Sequence, residues 1–130
     1  MFVMSLFFAI LASLIHVYIF VLESLLWTTP KVRALFSTSK TQAELSKSLA
    51  FNQGFYNLFL AIAGITGVGL VIAGSNTIGL TLIVSAASSM VLAASVLGLS
   101  DNTKIRSAIV QALFPVLALA FLLIYSVNLR

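Results

Sequence analysis

Cysteine is absent from this 130-residue chain, which excludes disulfides and thiolate metal sites and leaves the redox compartment unread. Charge is scarce too: Lys, Arg, Asp and Glu together make up 8% of the residues, against about 25% in ordinary soluble domains. Histidine occurs once, so no H-x-x-x-H pair can form, and no H-x-x-E follows it. The lone His16 and Glu23 are roughly 10 Å apart along a helix axis, too far to share an ion. Neither a metal nor a cofactor is expected. No Ser-His-Asp arrangement or Gly-rich phosphate loop is visible, because the glycines Gly64, Gly67 and Gly69 fall at membrane depth. The first apolar run has no basic residue before it and no A-x-A-like site after it. It therefore reads as a retained span rather than a cleaved signal peptide.

What the chain does have is apolar surface. It is 61% hydrophobic, with a mean hydropathy of +1.16. A soluble protein of this size has no way to cover so much of it, whereas a bilayer serves as its solvent. The expected fold is an all-α membrane protein, one domain over 1–130, with four transmembrane helices in an antiparallel up-down bundle. The spans fall at about 2–27, 51–73, 78–99 and 106–128, joined by a basic connection over 28–50. Pro30 breaks the first run after Trp27. Thr41-x-x-Glu44 fits a capping box, and no Pro or Gly intervenes from there to Gly54, so that helix should continue into span 2 and extend it toward the cytoplasm. Leu35 and Phe36 are placed to dip into the interface. The turn 74–77 is short and uncharged. Ser85, Ser89 and Ala93 form a small-residue stripe expected to pack helices, within the chain or in a homo-oligomer. Asp101 or Thr103 is placed to cap span 4.

The formal net charge is +4, but the basic residues flank the spans, so they read as topology signals and not as a nucleic-acid surface. Lys31, Arg33, Lys40 and Lys47 lie in the first connection, Lys104 and Arg106 in the last, and only Arg130 on the other side. Loops 28–50 and 100–105 should thus be cytoplasmic in a multi-pass cell-membrane protein, with both termini outside.

The most informative feature is where polar residues fall. His16, Phe20, Glu23 and Trp27 are spaced four, three and four apart, one column on an α-helix. An acid within such a stretch is costly and needs compensation. At 1.5 Å per residue, Glu23 lies roughly 6 Å and His16 roughly 16 Å inside a boundary at Trp27. Asn52, Gln53 and Tyr56 fall at that boundary, Asn57 a turn or so deeper, and Gln111 about one turn into span 4. Three helices would then bring carboxyl and carboxamide groups to one depth. Glu23 and His16 are the candidate catalytic residues, with Asn52, Gln53, Tyr56, Asn57, Gln111 and Trp27 the candidate ligand-binding ones. Pro115 frees the carbonyl of Gln111 and should kink span 4 beside the pocket.

The pattern His16-x-x-x-Phe20-x-x-Glu23-x-x-x-Trp27, then Asn52-Gln53-Gly54-x-Tyr56-Asn57-x-Phe59-Leu60-Ala61 and Gln111-x-x-x-Pro115, resembles a family of small four-span membrane proteins of bacteria and fungi, catalogued as domain-of-unknown-function family 1304. The resemblance implies a four-helix membrane protein whose signature residues are these polar ones, and it implies no reaction.

Three functions compete. A pocket open toward the cytoplasmic leaflet would bind or chemically transform a lipid-like or small amphiphilic molecule, with Glu23 as acid/base or counter-charge. A proton-coupled small-molecule transporter would use the same Glu23. A structural or assembly subunit would use the Gly/Ser/Ala faces to meet partners.

Overall fold

The computed structural model describes residues 1–128, so Arg130, the sole basic residue expected on the far side, lies outside the described residues. Helix α1 covers Phe2–Phe20 and runs on through a π-helical turn, Val21–Leu25. A short α2 spans Pro30–Leu35, α3 spans Lys40–Ile72, α4 Asn76–Ser100 and α5 Ile105–Asn128, the last entered through a 3₁₀ turn at Asn102–Lys104. Four of these helical stretches are long and apolar enough to cross a membrane: Phe2–Leu25, Lys40–Ile72, Asn76–Ser100 and Asn102–Asn128. At 33 residues α3 is about 50 Å long, well beyond a hydrocarbon core of about 30 Å. Its polar first three turns account for the excess.

Local chemistry sets most boundaries. The α3 start is capped by Ser39, whose hydroxyl accepts from the Gln42 N–H at 3.2 Å while the Gln42 side chain accepts from the Ser39 N–H at 3.1 Å. This box replaces the expected one at Thr41 and Glu44, because Ser39 has the extended backbone a cap requires and Thr41 is already helical. The α3 end is a Schellman motif: Gly74, at φ 91°, donates to Val71 O at 3.1 Å and Ser75 to Leu70 O at 2.8 Å. The same motif ends α2, but its left-handed residue is Ser37, at φ 52°. Asp101 caps the 3₁₀ turn, accepting from the Thr103 N–H at 2.9 Å and its hydroxyl at 2.6 Å. Those two bonds hold its carboxyl below the ordinary value of 3.8.

Helix α1 packs on α3 and α5, and α4 packs on the same two. The buried faces are built from small residues: Ser5, Ala9, Ala12 and Ser13 on α1, Ala50, Gly54, Ala61, Gly64 and Gly67 on α3, and Gly79, Ala86, Ala87 and Ala94 on α4. In lipid, where burial of apolar surface between helices gains little over solvation by acyl chains, such residues permit dense backbone-to-backbone packing. Gly67 and Gly79 show how close it is: a Cβ on Gly79 would sit 2.6 Å from Gly67 O and 2.8 Å from Val71 N. That crossing sets the phase of α4, and with Ile83 and Met90 it turns Ala86, Ala87 and Ala94 inward. Ser85, Ser89 and Ala93 are consequently exposed, so the stripe expected to pack helices faces outward and takes no part in the bundle core. Phe8 stacks between Phe114 and Phe121, and Phe2 lies 4.8 Å from Tyr125, which seals the α1–α5 contact at the end remote from α2. Large apolar side chains such as Val3, Ile72, Leu92, Leu99 and Val127 are more than half exposed, as a lipid-facing surface requires.

Candidate functional site

Glu23 sits inside the π-helical turn, where the Leu26 N–H reaches back five residues to Val21 O at 3.1 Å. Such single turns recur at functional sites. No proline causes this one; it coincides with the close approach of α3 at Gly54. Gly54 lies against the turn so closely that a Cβ there would meet Ser24 Oγ, with Ser24 N at 3.0 Å and Phe20 O at 3.1 Å. Ser24 donates its hydroxyl to Phe51 O across the helices at 2.8 Å. The Phe20 and Phe55 rings meet edge-on at 5.0 Å alongside.

Asn57 Nδ2 donates to Glu23 Oε2 at 3.0 Å and to Gln53 O of its own helix at 3.0 Å. Because a backbone carbonyl only accepts, the second bond fixes which end of the amide faces Glu23. Both amide hydrogens are thereby used, and Glu23 Oε1 has no hydrogen-bond partner among the described residues. Glu23 lines a cleft of about 530 Å³ between the end of α1 and the first turns of α3, within the usual range of small-molecule sites. Trp27 and Thr28 wall it on one side; Glu44, Lys47, Ser48 and Phe51 wall it on the other. The Trp27 indole donates to Ser46 Oγ at 3.1 Å and its ring rests 5.3 Å from Phe36. Leu22, Val32 and Phe36 form a small apolar cluster with Trp27, so α2 roofs this end of the bundle. Lys104 reaches under α2 and donates to Phe36 O at 3.0 Å. Phe36 is therefore buried, while Leu35 is exposed.

Not all the expected residues converge. Trp27 leaves the column of His16, Phe20 and Glu23, because α1 ends in the π turn and Trp27 follows it in non-helical backbone. It still walls the cleft. His16 is buried, and its Nδ1–H donates to Ala12 O at 2.9 Å; it does not line the cleft. Gln111 is half-buried and makes no side-chain hydrogen bond among the described residues. The contacts of Phe2 with Tyr125 and of Phe8 with Phe114 and Phe121 put it level with His16, deeper than Glu23. Pro115 is fully buried with α5 helical on both sides of it, a turn beyond Gln111 and away from the cleft. Asn52 and Tyr56 are exposed: each is two residues from Gly54, roughly 200° round the helix, so they point away from α1. Gln53 is exposed and contributes only its backbone carbonyl.

Glu44, Lys47 and Ser48 were not among the expected site residues. Their signal was present, since Glu44, Ser48, Phe51 and Gly54 recur at spacings of four, three and three along one face of an unbroken helix.

The family model described as "Protein of unknown function (DUF1304)" matches residues 10–123. No curated protein and no solved structure matches the chain.

Proposed function

The chain belongs to the DUF1304 family, and we propose that it binds, or acts chemically on, a lipid-like or small amphiphilic molecule in the cleft beside Glu23. The observation that carries this reading is a carboxylate within a membrane span that lines an open cleft and is held by one amide, Asn57, through one of its two oxygens. A carboxylate retained only for packing would be expected to satisfy both oxygens, because an acid at that depth is costly. The cleft joins apolar walls to polar ones, as an amphiphile requires. In this reading Asn57 positions Glu23, and Glu23 takes a proton or hydrogen bond from the ligand. Lys31, Arg33, Lys40, Lys47, Lys104 and Arg106 all belong to the α2 end of the bundle, and we assign that end to the cytoplasmic side.

Substitution tests the reading. Glu23→Gln and Asn57→Ala should each abolish binding or turnover of an amphiphile retained by the purified wild type, while helicity and expression persist. Unchanged binding in both would end it.

A further inference from the structure

The walls of the cleft differ along its depth, and the order of their chemistry points to a kind of ligand. Glu44 stands outermost on α3. Lys47 follows one turn nearer the membrane, with Ser48 beside it, and Phe51 lies one turn deeper again. Glu44 to Phe51 covers roughly 10 Å along the axis. Glu23 enters about a turn deeper than Phe51, since its neighbour Ser24 packs on Gly54 and Glu23 itself bonds Asn57. Read from the outside inward, the sequence is acid, base with hydroxyl, aromatic, then acid. A carboxylate outermost with an ammonium one turn inside it suits a ligand that carries a cation at its outer end and an anion behind it.

Resting on the amphiphile reading above, we infer that the cleft takes an ammonium–phosphate zwitterion of the ethanolamine type, the ammonium at Glu44 and the phosphate on Lys47 and Ser48. Glu23 lies beneath the phosphate, where a glycerol hydroxyl, free in a monoacyl form of such a lipid, donates to it. A primary ammonium supplies three N–H donors to the outer carboxylate. The phosphate gains a point charge from Lys47 and a hydroxyl from Ser48. A quaternary ammonium has no N–H to give, and a single tryptophan makes a poor cage for one. The same chemistry occurs in a phospholipid headgroup and in free phosphoethanolamine. The apolar walls Leu25 and Phe51, both partly exposed at the deep end, favour the lipid.

Trp27 is the only tryptophan and lines the cleft, so its fluorescence reads occupancy directly. The detergent-solubilised full chain would be titrated with short-chain phosphatidylethanolamine, phosphatidylcholine and phosphatidylglycerol of equal acyl length, and with phosphoethanolamine. Saturable emission changes at least tenfold tighter for the ethanolamine lipid than for the glycerol and choline lipids support the inference. Glu44→Gln should erase that preference, and Lys47→Gln should weaken every phosphate lipid about tenfold. Both side chains are exposed on the polar part of α3, so neither substitution threatens the fold. Phosphoethanolamine binding as tightly as the lipid supports the zwitterion as a soluble ligand; weaker binding supports it as a headgroup. A preference of less than tenfold over the glycerol or choline lipid, or an unchanged preference in Glu44→Gln, overturns the inference and leaves the amphiphile reading standing. No saturable response to any lipid overturns both.

Discussion

Gly54→Ala tests whether the site depends on the close approach of α3 to the π-helical turn. The added methyl would meet Ser24 Oγ, with the Ser24 N and Phe20 O backbone atoms at 3.0 and 3.1 Å. The hydroxyl can rotate aside, but it then gives up its 2.8 Å bond to Phe51 O, a loss of about 1 kcal/mol. The two backbone atoms cannot rotate away, so the helices must separate by a few tenths of an ångström, an overpacking cost of about 1–2 kcal/mol. Alanine recovers up to about 1 kcal/mol of helix propensity, which leaves a net destabilisation of about 1–2 kcal/mol. The same separation lengthens the 3.0 Å bond between Asn57 and Glu23. Reversible unfolding in mixed detergent, followed by Trp27 emission and by helical circular dichroism, measures the stability. Gly69→Ala is the internal control, since a Cβ there meets nothing within 4 Å, and it should be neutral or slightly stabilising. If Gly54→Ala proves as stable as Gly69→Ala and retains its ligand, the α1–α3 contact is not the constraint claimed here.

Other substitutions follow from the same geometry. Gly79→Val should cost more than about 2 kcal/mol in the same unfolding assay, because its side chain would run into backbone 2.6 and 2.8 Å away on α3. Ser37→Gly should raise stability by about 0.5–1 kcal/mol by relieving a left-handed residue at φ 52°. His16→Ala should cost about 2–4 kcal/mol as a buried cavity, yet change ligand affinity by less than twofold, because His16 lies outside the cleft; a binding loss without a stability loss would instead give it a functional role. The contribution of Asp101 to stability should be present above its ordinary value of 3.8 and fade as pH falls below it, because its folded value is depressed. Thermal melts across that range should show the fade in the wild type and not in Asp101→Asn.

The four membrane helices were legible because each apolar run is long and ends in polar breaks, a signal that bilayer thickness makes strong. The meeting of Glu23 with Asn57 was legible too, since depth alone put both near one boundary. Depth is not register, however, and Gln111 shows the difference: counting from the start of its span placed it beside Glu23, while aromatic packing along α5 sets it level with His16. The π turn was hidden because its cause is tertiary, a glycine of another helix pressed against Ser24. Phase errors of one residue explain the stripe of Ser85, Ser89 and Ala93, whose spacing equals that of the buried row Ala86, Met90 and Ala94 just beside it. Overlapping S/T-x-x-E/Q patterns explain the displaced cap at Ser39. Glu44 and Lys47 were read as a cap and a topology charge because polar residues outside a span rarely look like part of a site within one.

Mass spectrometry of the gently purified full chain, wild type beside Glu23→Gln, bears most directly on whether the cleft holds a ligand. One class of amphiphile should be retained at close to one per wild-type chain and be lost from a Glu23→Gln protein of unchanged helicity. Equal retention by both proteins, or only bulk membrane lipid on each, would contradict ligand binding in the cleft.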